Sequence, residues 1–97
     1  MNLDQIKALL QAHRPVLSER FKVREIGVFG SYARGDQTDQ SDIDVLVEFS
    51  EPVGFFAFID LEEYLQTVLG RRIDLVSKKA LKPRIGRRIL QEIVTIG

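Results

Sequence analysis

The chain contains no cysteine and a single histidine. Without cysteine it has no disulfide framework and no zinc-finger ligand set. That suits a reducing compartment, and the cytoplasm is the expected location. No apolar run approaches the ~20 residues that a membrane span needs, so no membrane partner is expected. Residues Met1 to Gln5 lack the basic and apolar regions of an export signal. Net charge is missing too, since 14 Lys and Arg balance 14 Asp and Glu. Generic nucleic-acid binding draws its affinity from phosphate neutralisation, so no direct nucleic-acid binding is expected.

What is present is a chain of 97 residues, 44% of them apolar. That composition excludes disorder. The length gives one domain, residues 1–97, burying roughly 60–65% of its extended surface around one modest core. Charge is segregated along the chain. Nine acidic residues and no Lys or Arg lie between Asp36 and Glu63, whereas eight basic residues and only Asp74 lie between Arg71 and Arg88. An acidic centre beside a basic C-terminal stretch suits metal cations and a polyphosphate in one cleft, or simply two solvated faces.

Asn2 is placed to cap a first helix, with Gln5 as its capping-box partner and Leu3, Ile6, Leu9 and Leu10 at helical spacing. Pro15 fits the first turn of a second helix ending near Phe21. Val23 to Phe29 reads as a strand, ended by Gly30, and Ser31 to Gly35 as the first turn of a helix. Asp36 to Ser41 is a loop. Along the next strand, Ile43 to Phe49, Ile43, Val45 and Val47 alternate with Asp44, Leu46 and Glu48, so one face carries the acids. A helix follows from about Gly54 to Leu69, its buried stripe expected at Phe55, Phe58/Ile59, Leu65 and Val68/Leu69. The Phe55-Phe56-Phe58 cluster reads as core, or else as a partner surface, rather than as a cofactor box. Arg72 to Val76 is a third strand, Ser77 a cap for a short turn, Pro83 the start of a last helix to about Ile93, and Thr95-Ile96 a short edge strand. The expected fold is α/β (α+β), a small mixed sheet of three to four strands packed against helices.

Two segments carry the chemistry. Residues i and i+2 of a strand share a side, so Asp42 and Asp44 present two carboxylates together. Two such charges are unfavourable without a cation between them. Mg²⁺, which prefers hard oxygen ligands and is completed by substrate phosphates, is the natural candidate. Asp74, an acid among Ile73, Leu75 and Val76, is the obvious third carboxylate. Three carboxylates allow two metal ions. The other segment is Gly30-Ser31, where a strand enters a helix and leaves backbone N–H groups as an anion site. Ser31 adds a hydroxyl, and Arg34 is suited to contact phosphate or to pin the loop. His13 reads as a surface or capping residue. The run Lys78, Lys79, Lys82, Arg84, Arg87 and Arg88 suits nucleotide phosphate or an acidic partner, or else forms a solvated face.

Gly30-Ser31, ten residues, then Asp42-Ile43-Asp44 resembles the signature of the DNA polymerase β-like nucleotidyltransferase superfamily. The fuller run GSYARGDQTDQSDIDVLVEF is similar to its minimal nucleotidyltransferase branch, and the likeness extends from about Val23 to the chain's end. The resemblance implies a nucleotidyltransferase fold and Mg²⁺, as two ions, on Asp42, Asp44 and Asp74. It implies triphosphate contacts at Gly30-Ser31, with ATP as nucleotide donor. It further implies an antitoxin that transfers AMP to a tyrosine of a helical HEPN-domain toxin. Two alternatives stand beside it: an antitoxin that neutralises by binding alone, and a transferase acting on a small, aminoglycoside-like molecule.

Overall fold

Alternation along the second strand organises the molecule. The computed structural model describes residues 1–97. Two helices, α1 (Leu3–Ala12) and α2 (Arg14–Phe21), lead into β1 (Val23–Phe29) and a single helical turn, α3 (Ser31–Arg34). After a loop come β2 (Ile43–Phe49), α4 (Phe55–Leu69) and β3 (Ile73–Ser77). A 3₁₀ turn at Lys78–Ala80, α5 (Pro83–Glu92) and β4 (Val94–Ile96) complete the chain. The four strands form one sheet in the order β3-β2-β1-β4. β1 is antiparallel to both β2 and β4, while β2 and β3 run parallel. The sheet is mixed, as expected.

Side chains on the two faces of β2 enter different cores. Ile43, Val45 and Val47 join Ile6, Leu10, Leu17, Leu61 and Leu65 in the main cluster beneath α1, α2 and α4. On the opposite face Leu46 packs with Phe29 and Ile89, so α5 covers that side. In β1 the pairing shifts between Val23 and Glu25. This bulge lets Val23 share the core face with Ile26 despite their odd spacing. Gly27 faces α5 at close range, since a Cβ there would lie 2.7 Å from Ile93 Cδ1. The missing side chain is what lets the end of α5 rest directly on the sheet.

The helix ends follow the sequence closely. Asn2 and Gln5 form the reciprocal capping box, both bonds at 2.9 Å. Ser77 stands at the start of the 3₁₀ turn but makes no capping bond, and belongs instead to the end of β3. His13 does more than cap α1: its Nδ1 lies 2.6 Å from the Tyr64 hydroxyl, tying the α1–α2 corner to α4.

The expected stripe of α4 needs correction. Its fully buried residues are Leu61, Leu65 and Leu69, at intervals of four. Phe58 and Val68 pack at the margin of the core. Phe55 and Phe56 are 72% and 81% exposed. Of the three rings in the first turn, Phe58 alone packs against the core, facing Phe49, while Phe55 and Phe56 meet each other edge to face. Leu65→Ala is therefore expected to cost about 2–5 kcal/mol by opening a cavity, and Phe56→Ser no more than about 0.5 kcal/mol. Urea denaturation monitored by circular dichroism measures both.

Candidate active site

The registers of β1, β2 and β3 put three sequence-distant points in a row. Phe29 is opposite Asp44 in the antiparallel pair, and Asp44 is beside Asp74 in the parallel pair. Asp44 and Asp74 thus stand side by side on the face of the sheet away from the main core. Asp42 lies just before β2, where the ladder begins with Ile43 N–H donating to the Arg72 carbonyl at 3.0 Å. The same connection sets Arg72 Nε 3.1 Å from Asp42 Oδ1. Asp42 is accordingly held by a cation, and the carboxylates do not stand as a ready-made group of three metal ligands. The structure brings Asp44 and Asp74 together and leaves Asp42 beside them in an exposed ion pair.

Asp44 is the strained member. Burial raises its carboxyl, and the Asp74 charge, a hydrogen bond with Asp74 and the Asp42 charge raise it further against the pull of Arg34, from 3.8 to about 6. A half-buried carboxylate destabilised by two others is a site that a divalent cation relieves. The donors are all carboxylate oxygens, which fits Mg²⁺.

Gly30 follows β1 at φ +74°, ψ −149°. A Cβ at this position would fall 2.1 Å from Asp44 Oδ2. Any other residue would displace the carboxylate, so glycine is required both by backbone conformation and by contact. The turn's N–H groups are not all open, contrary to expectation. Gly30 N–H donates to Glu92 Oε1 at 2.9 Å. Ser31 starts α3, a single turn closed by Gly35 in the left-handed region. Arg34 pins the loop: its Nε donates to Asp36 at 3.2 Å and its Nη1 to Glu92 at 3.2 Å. Those two carboxylates hold the guanidinium above its ordinary value.

Glu92 was not legible in the sequence. It sits at the end of a helix whose charge is otherwise basic, and its partners are about sixty residues away. Of the C-terminal cations, Lys78 pairs with Glu48 at 3.2 Å. Lys79, Lys82, Arg84, Arg87 and Arg88 are exposed, the arrangement of a solvated face. The site itself is open. The cavity under α5, lined by residues including Glu25, Leu46, Glu48, Lys78 and Leu90, does not include the acids. A polar groove lined by Ser41, Asp42, Arg71 and Arg72 runs beside them.

A mixed four-stranded sheet that sets a Gly-Ser turn against paired strand carboxylates defines a nucleotide-transferring enzyme. Residues 10–96 match the nucleotidyltransferase domain family, and the chain belongs to it. It is 50% identical over 96 residues to the protein adenylyltransferase MntA of Thermococcus cleftensis, covering 99% of this chain and 97% of that protein. A solved chain assigned to the minimal nucleotidyltransferases superposes with TM-score 0.81 at 34% identity, covering 97% of this chain and 95% of that one. A toxin–antitoxin crystal structure containing AMP-PNP matches all of this chain and 73% of its own at TM-score 0.73 and 26% identity. The fold also matches, at 20% identity and TM-score 0.68, a chain of the Shewanella oneidensis complex of a tri-AMPylated HEPN toxin with its MNT antitoxin. No helix is long and apolar enough to cross a membrane.

Two outcomes follow from this geometry. Gly30→Ala should destabilise the fold by about 1–3 kcal/mol through strain at positive φ and the clash with Asp44, measurable by thermal melting. Asp44→Asn should stabilise the metal-free protein. The wild-type carboxyl ionises more easily unfolded than folded, so its penalty grows as pH rises from about 4 to about 6 and is complete above that. The gain, about 1–2 kcal/mol after allowing for solvent screening, should appear at pH 7 and vanish below pH ~4. Equal stability of the two proteins at pH 7 in EDTA would contradict the cause assigned to the shift.

Proposed function

We propose that this chain is a protein adenylyltransferase that moves AMP from ATP to a tyrosine hydroxyl of a HEPN-domain toxin, and so acts as that toxin's antitoxin. The carrying observation is the Gly30 turn pressed onto the Asp44 carboxylate with Asp74 beside it. Contact between the turn read as phosphate-binding and the Asp44 carboxylate supports reading the two as one nucleotide site. The likeness to MntA across nearly the whole of both chains supports the reaction class. The toxin–antitoxin relative with AMP-PNP supports the nucleotide donor and the partner class.

In this reading Ser31 and the Gly30 turn hold the β- and γ-phosphates, and Arg34 steadies the loop at their edge. The acceptor oxygen attacks the α-phosphorus, its proton passes to Asp74, and the bond to the β-phosphate oxygen breaks to release pyrophosphate. Asp42, Asp44 and Asp74 are the residues that would hold Mg²⁺, as two ions, and the metal when bound supplies charge neutralisation to the triphosphate and the leaving group. Asp42 is free to take part at little cost, because an exposed pair such as Asp42–Arg72 contributes only about 0–1 kcal/mol. Positioning and electrostatics account for most of the rate.

The groove beside Asp42 is open and polar, which supports an acceptor delivered by another macromolecule. The exposed rings of Phe55 and Phe56 support a protein rather than a drug-sized acceptor, because adjacent exposed aromatics mark contact surfaces. The pairing of Asp42 with Arg72 favours a second reading, neutralisation of the toxin by binding alone. Intact-mass measurement of the partner after incubation with ATP and Mg²⁺ decides between them. AMP-sized increments are expected with the wild-type protein and not with Asp44→Asn, whose fold should be intact. Inhibition of the toxin without any mass change would support the binder.

A further inference from the structure

Glu92, the last residue of α5, reaches across the sheet to the candidate nucleotide turn. Its Oε1 accepts from Gly30 N–H at 2.9 Å, and its two oxygens accept from Arg34 Nη1 at 3.3 and 3.2 Å. The side chain is only 23% exposed. Gly30 is therefore held between two carboxylates, with Asp44 against its Cα side and Glu92 on its amide.

A glycine at positive φ has neither a side chain nor a narrow backbone well to confine it. Its own N–H is the handle by which a neighbour can fix it, and Glu92 holds that handle. The carboxylate is itself placed by packing, since Ile89 seats on Phe29 and Leu46, and Ile93 lies against Gly27. Burial of the apolar face of α5 is thus transmitted through Glu92 to the turn. The same group anchors one arm of Arg34 while Asp36 anchors another. With both arms held, the guanidinium plane is set before any ligand arrives.

We propose that Glu92 is a positioning residue for nucleotide binding: it clamps the Gly30 turn against Asp44 and fixes the orientation of Arg34. The proposal rests on the reading of Gly30-Ser31 as the triphosphate turn. Its two contacts are chemically separable. In Glu92→Gln the amide oxygen still accepts from Gly30 N–H, but the ionic hold on Arg34 is lost. In Glu92→Ala both are lost.

The test is calorimetric titration of ATP with Mg²⁺ into wild type, Glu92→Ala and Glu92→Gln, with amide exchange of Gly30 followed by NMR and a thermal melt of each. Glu92→Ala is expected to weaken ATP binding about 10-fold or more and to speed Gly30 exchange, and Glu92→Gln to recover most of both. The proposal is overturned if wild type binds ATP and Glu92→Ala binds within about twofold of it. It is equally overturned if both variants weaken together in step with a shared fall in melting temperature, the mark of a general stability role. Wild type that binds no ATP would remove the triphosphate reading itself, and with it any role for Glu92 there.

Discussion

β2 has one neighbour on each side and a different environment on each face, and the site exists because both conditions hold at once. Ile43, Val45 and Val47 lock one face into the main core. Asp44 and Leu46 are thereby committed to the other. A slip of one residue would drive Asp44 into the core and Val45 out to the site. The burial of three β-branched side chains therefore fixes where the carboxylate points. The neighbouring strands then add Phe29 and Gly30 on one side and Asp74 on the other.

Electrostatics sharpen the same picture. Most of the charged groups near the site are paired: Asp42 with Arg72, Arg34 with Asp36 and Glu92, Glu48 with Lys78 and Arg24. Such pairs at the surface are weak and exchangeable. Asp44 and Asp74 belong to none of them. They meet each other instead, and the consequence is the raised Asp44 carboxyl. The chain has zero net charge yet contains one unbalanced spot, held in place by the apolar packing of β2 although burial disfavours its charge.

α5 links this spot to the rest of the fold. It covers Phe29 and Leu46 on the acid-bearing face, and Ile93 at its end lies against Gly27 of β1. Its exposed residues include Arg84, Arg87 and Arg88 together with Ile85 and Leu90, its buried ones are Gly86 and Ile89, and it ends in Glu92. A structural covering helix thereby also supplies the carboxylate that meets the turn.

Much of this was legible in the linear order of residues. Helix starts at Asn2 and near Pro15 and Pro83, and strands at Val23 and Ile43, rest on local rules: capping geometry, two-residue alternation, the conformational limits of proline. Those rules act within a few residues, so the sequence states them directly. Asp74 was expected as the third carboxylate, and the sheet added its register directly beside Asp44. The exposure of Phe55 and Phe56, the pairing of Asp42 with Arg72 and the reach of Glu92 to Gly30 were decided by tertiary structure alone. Each depends on which strands become neighbours and how the helices lie against the sheet. A hydropathy pattern says that a side chain is suited to burial, but only the assembled sheet determines whether there is anything there to cover it.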